Sequence, residues 1–419
     1  MAQIDQLLTP SFTKAGREGV RTVTFLPEPE RRARKYTIIS VDDHIVEPAH
    51  TFTRYAAERY RDLVPTIVED EDGNQHWRYN GTTNPNIGLS AAKGRPVEEY
   101  SLEASRFDHM RPGAYDPDAR VADMDINGVY ASVNFPSSVA GFCGHRLQMG
   151  VADADLALEA VRAHNRWHLE EWAQAHPDRF IPAQLPWLRD VEVAAAEIRR
   201  NADAGFKAVH FTEAPQKFGL PSLHTGYWDP FLAACEDTQT VINLHIGSSG
   251  TAPTTADDAP ADTVGVLFFG FAMFTAVDWL FSQVPLRFPD IRIVISEGGI
   301  GWVAGLLDRL DHMEGYRDMY GTWGRDEIRP AEVLQRNFWF CAVEDPTAFR
   351  TVDRIGVDNV LLEADYPHVD STWPDTQEVV DREVRDLPAD AIRKITWENA
   401  SLLYRHPVPA AVQEDPDAY

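Results

Sequence analysis

Tyr36-Thr-Ile-Ile-Ser-Val-Asp-Asp-His-Ile-Val-Glu-Pro48 is the stretch on which the rest of the chain is organised. Its apolar, β-branched run (Thr37, Ile38, Ile39, Val41) reads as a buried strand that runs directly into charge. Side chains alternate faces along a strand, so Asp42 and His44 point one way and Asp43 the other. A carboxylate and an imidazole converging at a strand end make a pair of metal ligands. The plainer reading, an Asp that bonds loop amides, weakens because later strands also end in His, Asp or Glu.

Working outward, eight short apolar strands follow one another: the one just quoted, then 128–135, 180–184, 207–211, 241–245, 291–297, 338–342 and 360–364. Helical patterns alternate with them, at 153–175, 191–204, from Trp228, within 264–280, and at 301–313 and 346–355. Two short helical segments follow, ending near Tyr404. Alternation of this kind means a parallel sheet, and eight is the number that closes a barrel. A doubly wound sheet is the competitor, but no Gly-rich phosphate loop follows any strand. The expected fold is therefore α/β, a (β/α)8 TIM barrel over 36–405. An N-terminal arm (1–35) suited to packing on a neighbouring subunit precedes it, and a C-terminal tail (406–419) follows. Residues 45–120 form an insertion after strand 1, with a helix at 50–63 and a hairpin at 66–79 turning at Asp72-Gly73. Insertions of this length usually cover an active site.

The formal net charge is −26 (39 Lys and Arg against 65 Asp and Glu), which repels nucleic acid and anionic membranes. Three scattered cysteines without a CxxC pair fit a reducing cytoplasm and exclude a disulfide framework. The N-terminus lacks the apolar segment of a signal peptide. The apolar stretch 264–280 is short for a membrane span and carries Asp278 and Gly270, so a buried helix or pocket wall is expected.

In a closed barrel the active site lies at the C-terminal strand ends. These ends carry Asp42, His44, His210, His245, Glu297 and Asp365, with His368 three residues further on. Singly, His210 could be a core histidine and Glu297 a helix cap. Together they specify a His/carboxylate metal site without thiolate, suited to zinc, manganese or iron. Phe142, Trp228, Phe271, Trp302 and Trp373 are candidates for the pocket wall.

Asp42-x-His44-x-x-Glu47-Pro48, Asn243-Leu-His-Ile-Gly-Ser248, Glu297-Gly-Gly-Ile-Gly-Trp302, Ala364-Asp-Tyr-Pro-His368 with Ser371-Thr-Trp-Pro374, and Glu398-Asn-Ala400 together resemble the amidohydrolase-related family. That family includes the aminocarboxymuconate-semialdehyde and resorcylate decarboxylases, and the resemblance runs from about residue 36 to 404. It implies one metal held by Asp42, His44, His245 and Asp365. Two departures matter. Where decarboxylases and hydrolases of the family place a proton-handling His, this chain has Glu297, and it adds His368. The pattern resembles a subgroup of non-haem diiron monooxygenases. The leading expectation is then a cytoplasmic, homo-oligomeric oxygenase with two iron ions held by Asp42, His44, His245, Glu297, Asp365 and His368, the last and Glu297 also catalytic. It would hydroxylate an apolar acyl or acyl-CoA substrate with electrons from an external donor, and His210 and Glu47 would be reserve ligands or supports. The alternative is a mononuclear zinc or manganese hydrolase or non-oxidative decarboxylase with Glu297 as proton carrier. An inactive barrel serving as a binding scaffold is the third possibility, disfavoured because converging buried charges are costly to keep.

Overall fold

The computed structural model describes residues 2–3, 23–84, 86–100, 106–256, 258–260, 262–324 and 327–419. The eight expected strands are present: β1 (Ile39–His44), β2 (Ala131–Phe135), β3, β4 (Ala208–Phe211), β5 (Val241–His245), β6 (Ile293–Ser296), β7 (Phe338–Ala342) and β8 (Val360–Leu362). β3 is in two pieces, Phe180–Ile181 and Ala183–Gln184, because Pro182 lacks the N–H that would continue the ladder. The first piece pairs with β2 and the second with β4, and all neighbours around the ring are parallel. The sheet thus closes on itself through the split strand, giving the (β/α)8 barrel.

The helices that follow the strands are α1 (Pro117–Asn127), α2 (Ala154–Trp167), α3 (Val191–Ala204), α4 (Asp229–Thr238), α5 (Asp262–Phe281), α6 (Val303–Met313), α7 (Val352–Ile355) and α8 (Thr376–Val384). Aspartates start three of them: Asp116, Asp153 and Asp190 each accept from first-turn amides, which otherwise lack partners. Gly128, at φ 72°, ends α1 in the left-handed conformation that glycine adopts without cost and turns the chain into β2.

Several expectations shift in detail. The 50–63 helix shortens to Thr51–Tyr55 and a 3-10 turn, and the hairpin gains a third strand, Thr82–Asn84. The helix expected over 153–175 turns π-helical from His168 to Ala173. The expected burial of 264–280 holds for one face of α5 only, since Val266, Phe269 and Phe274 are exposed. By length and composition α5 is the one described helix apolar enough to cross a membrane. All three cysteines are free and buried.

Residues 23–35 of the arm lie on their own barrel. Leu26 N–H donates to the Gly94 carbonyl (2.9 Å), and Arg32 and Arg34 pair with Asp375 and Asp125. Residues 1 and 4–22 fall outside the described residues. The tail returns beneath the barrel, where Tyr419 stacks on the guanidinium of Arg34 at 3.7 Å.

A candidate metal centre at the C-terminal end of the barrel

β1 brings in the first two groups. A register shift between Ser40 and Asp43 bends the strand end inward, and Asp42 and His44 share a side as alternation requires. Asp42 Oδ1 lies 3.4 Å from His44 Nε2. Asp43, on the opposite side, accepts from Ser40 Oγ (3.0 Å) and Tyr366 N–H (3.1 Å). Burial raises its pKa to about 7, although the neighbouring Arg120 guanidinium opposes the shift.

From β5 comes His245, fully buried, whose Nδ1 is 2.7 Å from the Ile246 carbonyl. That bond puts the ring proton on Nδ1 and turns the Nε2 lone pair inward. Nε2 then faces Glu297 Oε2 at 2.7 Å, His44 Nε2 at 3.2 Å and Asp42 Oδ2 at 3.7 Å. Acceptors facing acceptors require a proton or a cation among them. Both Asp42 oxygens are buried without a hydrogen-bond partner.

Glu297 and Asp365 reach the centre through unusual backbone. Both have positive φ (59° and 55°), in the left-handed region that side-chain-bearing residues seldom occupy. Glu297 follows β6 directly and does not cap α6, which begins five residues after it would need to. Asp365 leaves the β8 ladder but stays tied to β1: its N–H donates to the Asp42 carbonyl (2.9 Å), and the Tyr366 carbonyl accepts from His44 N–H (2.7 Å). Asp365 Oδ1 is 3.2 Å from His44 Nε2 and 3.0 Å from His368 Nδ1. The His368 ring stacks on His44 with centroids 3.8 Å apart.

All six sequence-predicted ligands are therefore together, in overlapping groups. Asp42, His44 and His245 form one; His44, Asp365 and His368 a second; Glu297, Asp365 and Asp370 a third, each with ligand atoms within 4.8 Å of one another. The electrostatics follow from crowding. Burial, then the carboxylates of Glu363, Asp365 and Glu297, push Asp42 far above the usual carboxylate range. Glu297 and Glu363 are raised for the same leading reason. For His368, burial alone would lower the pKa, but Asp365 and then Glu297 outweigh it and bring it to about 9. An excess of negative charge in a dry place calls for positive charge, and oxygen and imidazole donors without thiolate fit a divalent cation of the manganese, zinc or iron type.

The reserve residues do not join this set. His210 Nε2 bonds the Asn134 carbonyl at 3.0 Å and its ring lies on Phe135, so its plainer reading as a core histidine describes what it does here. Glu47 accepts from Ser137 N–H (3.3 Å) and lies 3.2 Å from His164 Nε2, anchoring the start of the insertion. Of the five candidate wall aromatics, Phe142 touches the centre, with its ring 4.1 Å from that of His245 and 5.0 Å from His44. Trp302 instead bonds the Gly298 carbonyl (3.0 Å), and Trp228 packs on Phe211 in the core.

Sequence reasoning missed three contributors. Asp370 has the same one-residue spacing from His368 that Asp42 has from His44, a signal that was available. Glu363 breaks an apolar strand end and accepts the Glu297 N–H at 3.0 Å. Lys93, from the insertion, donates to the Val369 carbonyl (3.3 Å) and to that of Ser371, clamping the loop that carries His368 and Asp370. No sequence pattern points to Lys93.

The amidohydrolase family signature matches residues 72–406, well over half of the chain. The chain belongs to the amidohydrolase family. The match starts after β1, so Asp42 and His44 lie outside it and are joined to it by barrel closure. No curated protein matches the chain. Among solved structures, an amidohydrolase from Mycobacterium avium subsp. paratuberculosis K-10 superposes with TM-score 0.70 at 24% identity, covering 89% of this chain and all of that one. The 5-carboxyvanillate decarboxylase of Sphingomonas paucimobilis gives 0.61 at 20% identity, over 88% and 99% of the two chains. That of Novosphingobium aromaticivorans, complexed with manganese and a nitrobenzoic acid, gives 0.62 at 19%, over 91% and 100%. At these identities the amidohydrolase barrel is what is shared.

Proposed function

We propose that this member of the amidohydrolase family is a divalent-cation-dependent decarboxylase that acts on an unsaturated or aromatic acid without oxidation, its cation being manganese or zinc. The observation that carries the reading is the Asp42, His44 and His245 group, in which a partnerless buried carboxylate and two inward-facing Nε2 atoms converge. Decarboxylases with the same barrel, one of them complexed with manganese, support it. A bound divalent cation supplies polarisation of a substrate oxygen. Asp42, His44, His245 and Asp365 would hold it. His368, whose Nδ1 is 3.0 Å from Asp365 Oδ1, would deliver a proton from Nε2 to the carbon that loses the carboxylate. Glu297 would relay a proton from solvent back to His368, so that each turnover consumes one proton. Phe142, lying over both ligand imidazoles, would exclude water. Balance is simple: one carbon–carbon bond breaks, carbon dioxide leaves, and one carbon–hydrogen bond forms.

A second reading, the two-iron oxygenase on an apolar acyl or acyl-CoA substrate with an external electron donor, is favoured by one observation. Asp365 belongs to the second and third ligand groups at once, and Asp370 completes the third, so there are donors enough for two cations. The two readings separate in one experiment. Metal-stripped protein is reloaded anaerobically with manganese, zinc or ferrous iron and offered a panel of hydroxybenzoic acids without dioxygen, then an apolar acyl-CoA with a reductant and dioxygen. Release of carbon dioxide by manganese- or zinc-loaded protein without dioxygen is the expected result. Turnover by the iron form alone, with consumption of dioxygen and its oxygen in the product, would overturn the decarboxylase.

A further inference from the structure

We propose that the outer face of α5 and the adjoining 316–320 segment form a self-association surface on which a second copy of this chain docks. The inner face of α5 needs no further partner. Trp279 Nε1–H donates to the Glu213 carbonyl at 3.2 Å, and Ala272 lies so close to Gly298 that a Cβ there would overlap it. The outer face has nothing on it among the described residues: Val266 is 69% exposed, Phe269 53% and Phe274 63%. Phe281 is seven residues, two helical turns, beyond Phe274 and so on the same face. It meets Trp323 (ring centroids 5.7 Å apart) and opens an apolar groove that runs to Tyr320. There Tyr316 is 50% exposed, Met319 75% and Tyr320 61%.

Area and charge together select the occupant. With large side chains presenting roughly 200 Å² each, these six expose on the order of 700 Å². That exceeds the patch of about 300–600 Å² found on ordinary monomers and approaches the roughly 800 Å² that each partner contributes to a stable interface. The chain carries a net charge of −26, yet residues 263–277 hold no charged side chain. Two copies repel one another elsewhere and can meet here. The same charge disfavours an anionic membrane. Gly265 and Gly270 add an independent sign. A Cβ at either would touch nothing among the described residues, so no packing that they show accounts for two residues that each cost a helix about 1 kcal/mol relative to alanine. They leave room for a second backbone. Because Gly298 follows Glu297, pairing on the outer face would press α5 against the turn that presents this carboxylate.

Sedimentation velocity on the full chain at micromolar concentration tests the proposal without any substrate, and so independently of the decarboxylase reading. Twice the chain mass is expected, with at least a tenfold weaker association in the Phe269→Glu, Phe274→Glu double variant. Both side chains are exposed, so circular dichroism should report an unchanged fold. Leu402→Glu, at another exposed apolar position, should leave the dimer intact. A monomer at every concentration, a dimer indifferent to the double variant, or a monomer that co-sediments with phosphatidylcholine vesicles would each overturn it.

Discussion

His44 Nε2 and His245 Nε2 stand 3.2 Å apart although their strands, β1 and β5, lie on opposite sides of the barrel. With the His245 proton held on Nδ1 by the Ile246 carbonyl, that approach is favourable only with positive charge between the rings. His245→Ala should therefore abolish binding of one cation per chain. Metal content after equilibration with manganese or zinc, at retained secondary structure, measures it. Unchanged stoichiometry would place the cation elsewhere.

Asp42 has two buried oxygens without partners, amid other carboxylates. Replacing it by the isosteric amide should stabilise the metal-free protein, because burying this carboxylate among other carboxylates costs free energy whether it stays charged or takes up a proton. Asp42→Asn should thus melt higher than the wild type without metal. It should also lose most of the stabilisation that the wild type gains from metal, which is about 2.7 kcal/mol at a hundredfold excess over Kd. A metal-free variant that melts lower would contradict this account.

Above about pH 6.5, where the buried histidines His44, His168 and His210 are neutral whether folded or unfolded, the metal-free protein should lose stability as pH rises. Asp43, at about 7, and His368, at about 9, both have folded-state values above their unfolded ones. The folded state accordingly binds more protons, and the slope of stability with pH is negative. Asp43's contribution fades between about pH 4 and 7, and that of His368 between about pH 6.5 and 9. Cation binding displaces protons, so loading should flatten the decline. Melting curves from about pH 6.5 to 9, with and without manganese, provide the comparison; parallel curves would count against it.

Gly298→Ala should cost about 1–3 kcal/mol, the usual range for forcing a methyl into a filled space, because the new Cβ would overlap Ala272. Adding Ala272→Gly should recover most of that loss. If the double variant is no better than the single one, close packing of α5 on the Glu297 turn is not what the glycine permits.

Lys93→Met keeps the length of the side chain and removes the donor that holds the Val369 and Ser371 carbonyls. Outer-shell losses typically weaken metal binding about 10–100-fold, and a value near the lower end is expected here. Competition with a chelator of known affinity would measure it.

The barrel was legible because strand and helix periods alternate cleanly from β2 onward, and because ligands at barrel strand ends must share one rim. Among the barrel strands, the split of β3 at Pro182 was overlooked. The site was legible where side-chain alternation decides it, as for Asp42 and His44. It was less so where the backbone leaves regular geometry. Positive φ at Glu297 and Asp365 redirects both carboxylates, and a strand period cannot anticipate that. His210 shows the converse failure: its strand-end position matched the ligands, but the Asn134 carbonyl lay within its reach and satisfied it. The exposed side of α5 escaped notice because an apolar helix reads the same whether its own chain or another covers it.

The seam between β1 and β8 also sets an order of events during synthesis. Asp43 and Tyr366, hydrogen-bonded to each other there, are 323 positions apart in the chain. A ribosome therefore releases Asp42 and His44 long before Asp365, and β1 waits for its β8 neighbour through most of translation. Barrel closure is thereby deferred to nearly complete chains, and a truncated product ending before β8 would carry an open sheet with β1 and β7 as bare edges.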